Sequence, residues 1–228
     1  MDGMTTPADV HEVRDPELPG RLLVVERDAL LPLLRARDEG DFALPVVACP
    51  GWTVRDLLAH CSAALSRVVE SRYDKDVFSP ECNERDIAER AGWSNAEVLD
   101  ELERGMTAAG PVIAEAGGLL DGAALGEWVH AGDVRVAFGE PGAYAGAGLP
   151  FALALLAQVT SARGHLSLHA DLDDVDEPLR LGGVSGERPP ARFIGDAPTL
   201  VRLYAGRPVD GVSYELAGAE AAELNIFG

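Results

Sequence analysis

Cysteine is scarce in this sequence, and its few positions exclude a fold built on disulfide bonds. Three cysteines occur among 228 residues, at Cys49, Cys61 and Cys82, and no two of them form a Cys-x-x-Cys pair. An odd number of widely spaced cysteines argues against a disulfide framework and favours a reducing compartment. We therefore expect a cytoplasmic protein.

Positive charge is also scarce. The chain has 19 Lys and Arg residues against 38 Asp and Glu residues, which gives a formal net charge of −19. Proteins that bind nucleic acid or anionic membranes need a basic patch, so neither partner is expected. The sequence also lacks an apolar run of roughly 18 residues that could span a membrane, and its polar, acidic beginning does not resemble a secretory signal.

The motifs of several common enzyme classes are missing as well. There is no Gly-x-Ser-x-Gly nucleophile turn, P-loop or dinucleotide-binding fingerprint. Cys61 falls on the apolar stripe of its predicted helix, which favours a small buried hydrophobe over a nucleophile or ligand. Any catalysis by this chain should therefore not depend on a protein nucleophile.

What the sequence does contain is a long series of apolar residues at helical spacing. After an irregular arm over residues 1–19, this pattern predicts five helices; they cover residues 22–38, 53–72, 94–110, 123–138 and 151–163. The third of these ends either at Pro111 or one turn later at Gly117. Residues 73–91 are polar and interrupted by a proline, and they predict a loop that could line or cover a site.

The period changes after Gly164. Alternation from Leu166 to Leu172 and two later short runs predict strands, with a short helix capped by Asp196 and a last strand near Leu216. The apolar residues from Leu224 onward should pack against the rest. We therefore predict a mainly α fold, with a helical bundle over residues 1–163 and a small α+β appendage over residues 164–228.

The most informative stretch runs from Cys49 to Cys61. Its Pro-Gly pair predicts a tight turn, and Thr53 and Asp56 can form a capping box at the start of a helix. His60 lies at the margin of the apolar stripe of that helix, about 60° from the nearest leucine. It is either a core-edge histidine or a side chain that looks into a cavity between helices.

A second stretch places Glu127, His130 and Asp133 three residues apart, on one face of a helix. Together with His60, they could form an interior metal site of the kind that helical bundles build. Two imidazoles and a carboxylate suit zinc, and three protein ligands leave a position for water, thiol or substrate. The alternative is that Glu127 is a solvated charge and that His130 pairs locally with Asp133.

Two further histidines occur in the appendage. His165 and His169 would form a metal pair on a helix, but the segment reads as a strand. On a strand they would lie on one face about 13 Å apart, too far to share an ion. We interpret them as surface histidines.

The run from Pro50 to His60, Pro-Gly-Trp-Thr-Val-Arg-Asp-Leu-Leu-Ala-His, resembles the signature of the mycothiol-dependent maleylpyruvate isomerase-like family. That family belongs to the DinB-like metal-binding four-helix-bundle superfamily. The resemblance implies that His60 is a ligand of a divalent metal, as are Glu127 and His130. In the family pattern the glutamate lies four residues before the histidine. Here it lies three before, so Asp133 is the substitute candidate.

The segment Leu203-Tyr204-Ala205-Gly206-Arg207 resembles part of the family's C-terminal domain, where an arginine assists catalysis. The resemblance implies that Arg207 is catalytic and could grip a substrate carboxylate; alternatively, it is a cation at a helix end. It also implies mycothiol as cofactor, with a metal-bound thiolate attacking a small electrophilic substrate in an isomerase or thiol transferase. The competing hypothesis is a metal-binding regulatory or sensor module without catalysis. We expect a monomer or homodimer.

Overall fold

The computed structural model describes residues 14–73, 79–183 and 188–227. The helices in these segments are α1 (Leu18–Arg35), α2 (Val54–Val69), α3 (Pro80–Glu89), α4 (Asn95–Glu115), α5 (Asp121–Ala137), α6 (Leu149–Ala162), α7 (Ala197–Tyr204) and α8 (Ala221–Leu224). The strands are β1 (Leu168–Leu172), β2 (Leu179–Leu181), β3 (Ala191–Gly195) and β4 (Glu215–Ala217). No helix in the described segments combines the length and the apolar character needed to cross a membrane.

Four of the helices form a bundle. Helix α1 packs against α4 and α5, and α2 packs against the same two helices, so the four close around a shared core. Leu22, Leu57, Leu102 and Trp128 contribute one fully buried side chain from each helix. The mainly α fold predicted from the sequence is confirmed.

The contact between α1 and α4 depends on two glycines. Gly20 and Gly110 face each other so closely that a Cβ atom on Gly110 would lie 2.8 Å from Cα of Gly20. Helix α4 also continues past Pro111 to its end at Glu115. Ile113, beyond the proline, is fully buried, so its packing outweighs the backbone hydrogen bond that Pro111 cannot donate.

The irregular arm predicted for residues 1–19 is wrong at its end, because α1 begins at Leu18. Residues 1–13 lie outside the described residues, and the chain is helical from Leu18 onward. Pro19 stands in the first turn of α1, where a missing N–H is tolerated because it has no partner within the helix. Arg14 fixes the segment before the helix, since its Nη2 lies 2.7 Å from Oδ1 of Asp121 on α5.

The prediction of a loop over residues 73–91 is wrong for its second half, which forms helix α3. Ser79 caps this helix by accepting a backbone hydrogen bond of 3.1 Å, and Pro80 occupies its first turn. Both are ordinary start signals, but α3 has too few apolar residues for periodicity to reveal it. A buried ion pair between Asp86 and Arg67 instead anchors α3 to α2.

The appendage is a four-stranded sheet in the order β2-β1-β3-β4. Strands β1 and β3 are parallel, and the two outer pairs are antiparallel. Alternate residues of β1 are buried, and the sheet shares a continuous hydrophobic core with the bundle. Gly182 N donates a hydrogen bond of 3.0 Å to Oγ1 of Thr160 on α6, so the appendage packs directly on the last long helix.

The first strand begins later than the alternation predicts. It starts at Leu168, so His165 lies in the connection after α6 rather than on the strand. There the His165 ring is half-buried beside Tyr204, with the ring centroids 5.8 Å apart. The reason is that His165 N still donates to the carbonyl of Thr160 at 2.9 Å, which keeps this residue with the helix end. His169 is exposed on β1.

Candidate metal centre

Two histidines from different bundle helices face each other. His60 of α2 and His130 of α5 have ring centroids 5.5 Å apart, with their planes nearly perpendicular. His60 is 7% exposed, and its buried Nδ1 has no hydrogen-bond partner among the described residues. Burial, and to a smaller extent the charge of His130, lower the pKa of His60 to about 3. The ring is therefore neutral at physiological pH, which is the form that binds divalent metals.

The turn before α2 brings two more side chains to these histidines. Trp52 N donates to the carbonyl of Cys49 at 3.0 Å, and the predicted capping box between Thr53 and Asp56 fixes the start of the helix. This turn places the Trp52 ring 5.3 Å from the ring of His60. His60 thus has an aromatic ring on one side and His130 on another.

Asp133 is the centre of a buried hydrogen-bond network. Its carboxylate lies 3.1 Å from Nδ1 of His130 and accepts bonds from Nε of Arg207 at 3.0 Å and from Nη2 of Arg207 at 2.7 Å. The Tyr144 hydroxyl donates a fourth bond. Burial alone would raise the pKa of Asp133, but the bonds from His130 and Arg207 outweigh it and hold that pKa below its ordinary value.

This network decides which nitrogen of His130 is available. When Nδ1–H donates to Asp133, the lone pair of His130 lies on Nε2, which is the arrangement that orients metal-binding histidines in many proteins. A carboxylate offers about four lone-pair sites. Asp133 has four such contacts, which are those with Nδ1 of His130, Nε and Nη2 of Arg207 and the Tyr144 hydroxyl.

Arg207 reaches this network from the appendage, just after α7. Its guanidinium binds Asp133 through two nitrogens, and its Nη1 donates to the carbonyl of Ala205 at 3.0 Å. The two guanidinium nitrogens that could bind a substrate carboxylate are therefore already bound to Asp133. The predicted catalytic role of Arg207 stays a prediction, and its contact with the network runs through Asp133.

Glu127 lies on the other flank of His130 from Asp133. At roughly 100° per residue, Glu127 and Asp133 lie about 60° to either side of His130. Asp133 turns toward the appendage, whereas Glu127 lines a small, mainly apolar cavity together with His130, Cys61 and Met106. Burial raises the pKa of Glu127 to about 8, although a hydrogen bond with Cys61 lowers it in part. Cys61 is fully buried, as its position on the stripe predicts.

The potential ligand atoms that lie closest together differ from the predicted set. Within the described segments, the thiol of Cys49, a ring nitrogen of His130 and a carboxylate oxygen of Asp133 lie within 4.8 Å of one another. Neither His60 nor Glu127 belongs to this set. The assignment of His60, Glu127 and His130 as metal ligands therefore stays a prediction.

Two residues of this centre were missed by sequence reasoning. Cys49 lies directly before the Pro-Gly turn, and a thiol brought beside a conspicuous histidine by a tight turn was a usable signal. Tyr144 lies between α5 and α6 and gives no periodic signal. Its ring packs against Gly132 so closely that a Cβ atom there would overlap it, and this small residue is the only trace of the contact in the sequence.

The chain is similar to one known protein family in sequence and to two solved structures in fold. The model of the mycothiol maleylpyruvate isomerase N-terminal domain matches residues 23–140. The chain is also similar to the crystal structure of the mycothiol-dependent maleylpyruvate isomerase, with a TM-score of 0.51 and 21% identity over 93% of this chain and 96% of that one. A histidine-to-alanine mutant of that isomerase gives a TM-score of 0.52 at the same identity and coverage. This likeness shows the fold. No curated protein matches the chain significantly.

Proposed function

The chain belongs to the mycothiol maleylpyruvate isomerase family, and on that premise we propose that it is a metal-dependent enzyme that uses mycothiol. Its substrate would be a small electrophilic molecule, and its reaction an isomerisation or a thiol transfer. The observation that carries the proposal is the facing pair of His60 and His130, 5.5 Å apart between ring centroids. We also propose that the chain works in the cytoplasm, in line with its unpaired cysteines.

The side chains fit a divalent metal. Nδ1 of His60 is buried without a partner among the described residues, and a buried polar atom left unpaired is costly. His60 is neutral, and Asp133 holds His130 with its other ring nitrogen free. Imidazole nitrogens are ligands that zinc prefers. His60 and His130 would thus hold the ion, and a further protein ligand would complete a three-ligand site.

A bound divalent ion would lower the pKa of a coordinated thiol and keep it as a thiolate at neutral pH. The residues of the chain supply orientation and burial. Asp133 fixes the ring of His130, Arg207 and Tyr144 fix Asp133, and Trp52 shields His60 from water on one side. Such a site needs no protein nucleophile, in agreement with the absence of nucleophile motifs from the sequence.

We expect about one zinc ion per chain in the purified protein. Alanine in place of His60 or His130 should reduce bound metal steeply, because each loses an imidazole ligand, whereas His169→Ala should not, because that ring is exposed on the sheet. Metal analysis after dialysis against a weak chelator measures the difference. Equal metal content in wild type and in the His60→Ala/His130→Ala double variant would contradict the proposed site.

Turnover separates an enzyme from a non-catalytic metal-binding module. The module is the second candidate because the fork of Arg207 is occupied by Asp133 and Glu127 is not at the family spacing. The zinc-loaded protein should convert maleylpyruvate, or a related unsaturated keto acid, faster with mycothiol than without it. A protein that binds zinc and mycothiol but gives no such acceleration across a panel of electrophiles would be a sensor or regulatory module.

A further inference from the structure

We propose that Cys49 is a protein ligand of this metal centre and supplies the negatively charged ligand that the family pattern assigns to a glutamate. The inference rests on the proposed metal-binding function and names its third ligand. The site would then consist of the two imidazoles of His60 and His130 and the thiolate of Cys49.

The first argument is position. The Cys49 thiol lies within 4.8 Å of a ring nitrogen of His130 and of an oxygen of Asp133. The same four-residue turn that carries Cys49 also carries Trp52, whose ring packs on His60. The turn is closed by the Trp52 N–H bond to the carbonyl of Cys49. One fixed piece of backbone therefore holds the Cys49 thiol beside His130 and the Trp52 ring beside His60.

A second, independent observation comes from His60. This side chain is more than nine-tenths buried, its ring packs edge to face on that of His130, and its Nδ1 has no partner among the described residues. Buried imidazoles without a partner are uncommon in proteins. A thiolate and two imidazoles are ligand types that zinc binds well.

The two carboxylates nearby are less suited to be the third ligand. The lone pairs of Asp133 are taken by His130, Arg207 and Tyr144, and a metal bound there would stand beside the positive guanidinium. Glu127 lies on the opposite flank of His130 from Asp133, in a small, mainly apolar cavity that His130 and Cys61 also line. Among the described residues, Glu127 is not part of the group of close ligand atoms that includes the Cys49 thiol.

Charge balance is the same with either ligand type. Two neutral imidazoles and one thiolate leave a net charge of +1 on a divalent ion, as two imidazoles and one carboxylate would. Binding of the ion displaces the proton of the Cys49 thiol into solvent, so one proton is released for each ion bound. A thiolate is also a softer ligand than a carboxylate and favours zinc over magnesium or calcium.

Cobalt(II) substitution tests the ligand directly. A cobalt ion bound by a thiolate has an intense sulfur-to-metal charge-transfer band in the near ultraviolet, which nitrogen and oxygen ligands do not produce. The chelator-treated full-length protein should show this band with one equivalent of cobalt. Cys49→Ser should remove the band and weaken zinc affinity by roughly tenfold or more. Cys61→Ser and Cys82→Ser are matched controls and should keep the band.

Other outcomes would overturn the assignment. A band that survives in Cys49→Ser, or one equivalent of tightly bound cobalt without a band in wild type, would exclude Cys49 and leave the proposed metal function intact. Loss of cobalt binding in Glu127→Gln but not in Cys49→Ser would return the third ligand to Glu127. Wild-type protein that binds no cobalt would contradict both proposals. Proton release can be measured in the unmutated protein with a pH indicator during zinc addition at near-neutral pH. If no proton is released, Cys49 is not a ligand.

Discussion

Two carboxylates three residues before and after one histidine have opposite environments. Asp133 is surrounded by donors that keep it ionised, whereas Glu127 is buried in a mainly apolar cavity and shares a hydrogen bond with Cys61. The same helix therefore holds one acid charged and one acid protonated at neutral pH. This difference arises from which way each side chain turns about α5, and it makes the two residues chemically unequal although their spacing from His130 is identical.

The pKa of Glu127 predicts how the stability of the metal-free protein depends on pH. Its pKa is raised from 4.5 to about 8 in the folded protein, so the folded state holds the proton more tightly than the unfolded state. The stabilising contribution of Glu127 to the free energy of unfolding is fully present below pH 4.5 and is lost as the pH rises through about 8. Between these values the free energy of unfolding should fall by up to about 1.4 kcal/mol per pH unit from this group.

Urea unfolding of metal-free wild type and Glu127→Gln at pH 5, 6, 7 and 8 measures this contribution. The glutamine variant should lose the downward slope, because an amide has no proton to release in this range. A slope that is the same in both proteins would show that Glu127 ionises as easily in the folded protein as in the unfolded chain.

At the scale of elements, the close approach of α1 and α4 is set by Gly20 and Gly110. Gly110→Ala puts a Cβ atom 2.8 Å from the backbone of Gly20, so the two helices must move apart. Overpacking of this kind costs about 1–3 kcal/mol, whereas alanine in a helix gains about 1 kcal/mol over glycine. Because the clash is with backbone, we expect a net loss of about 1–2 kcal/mol in the free energy of unfolding.

Gly126→Ala is the matched control for this prediction. Gly126 is also inside a helix, but a Cβ atom there would meet only the ring of Phe227 at 3.5 Å, an ordinary contact. This variant should keep or slightly increase stability in urea unfolding. If Gly110→Ala is as stable as Gly126→Ala, the two helices can separate without cost and the glycine contact does not define their distance.

The elements differ in how far the sequence predicts them. Helix α2 could be placed because Thr53 and Asp56 cap it and its apolar residues keep the helical period. Helix α3 could not, because it is held by the buried ion pair of Asp86 with Arg67, and charged residues in a sequence look the same whether they are buried or solvated. Periodicity reports apolar burial, and it does not report which charges find partners.

The same limit applies to the candidate site. His60 and His130 stand out because they are histidines on predicted bundle helices, so their meeting could be anticipated. Cys49 and Tyr144 lie in connections, whose path is set by the packing of the helices they join. The contact of Arg207 with Asp133 joins residues 74 positions apart, and no local pattern specifies such a pair.

At the scale of the whole molecule, the ion pair of Arg207 with Asp133 joins the appendage to the bundle. Arg207→Ala would leave the Asp133 carboxylate buried without its cation. Breaking a buried ion pair from one side costs about 3–5 kcal/mol, and we expect a loss of stability of about that size by urea unfolding. The metal affinity should fall as well, because His130 loses the support of a fixed Asp133.

Two variants test whether this loss comes from the ion pair. Arg188→Ala removes an arginine of the same appendage whose partner Glu223 is solvent-exposed, and it should cost far less stability than Arg207→Ala because water screens exposed ion pairs. Adding Asp133→Asn to Arg207→Ala should recover part of the stability, because no buried charge is then left unpaired. A double variant that is no more stable than Arg207→Ala would indicate that Arg207 contributes packing rather than charge.

The separation of 74 residues between Asp133 and Arg207 also fixes an order of events during translation. At about 5–20 residues per second, a ribosome adds Arg207 roughly 4 to 15 s after Asp133. For that interval the nascent chain has both histidines and the cysteine of the turn but not the guanidinium that neutralises Asp133. The hydrogen-bond network around Asp133 is therefore completed only after Arg207 has been made, although His60 and His130 belong to helices that are made much earlier.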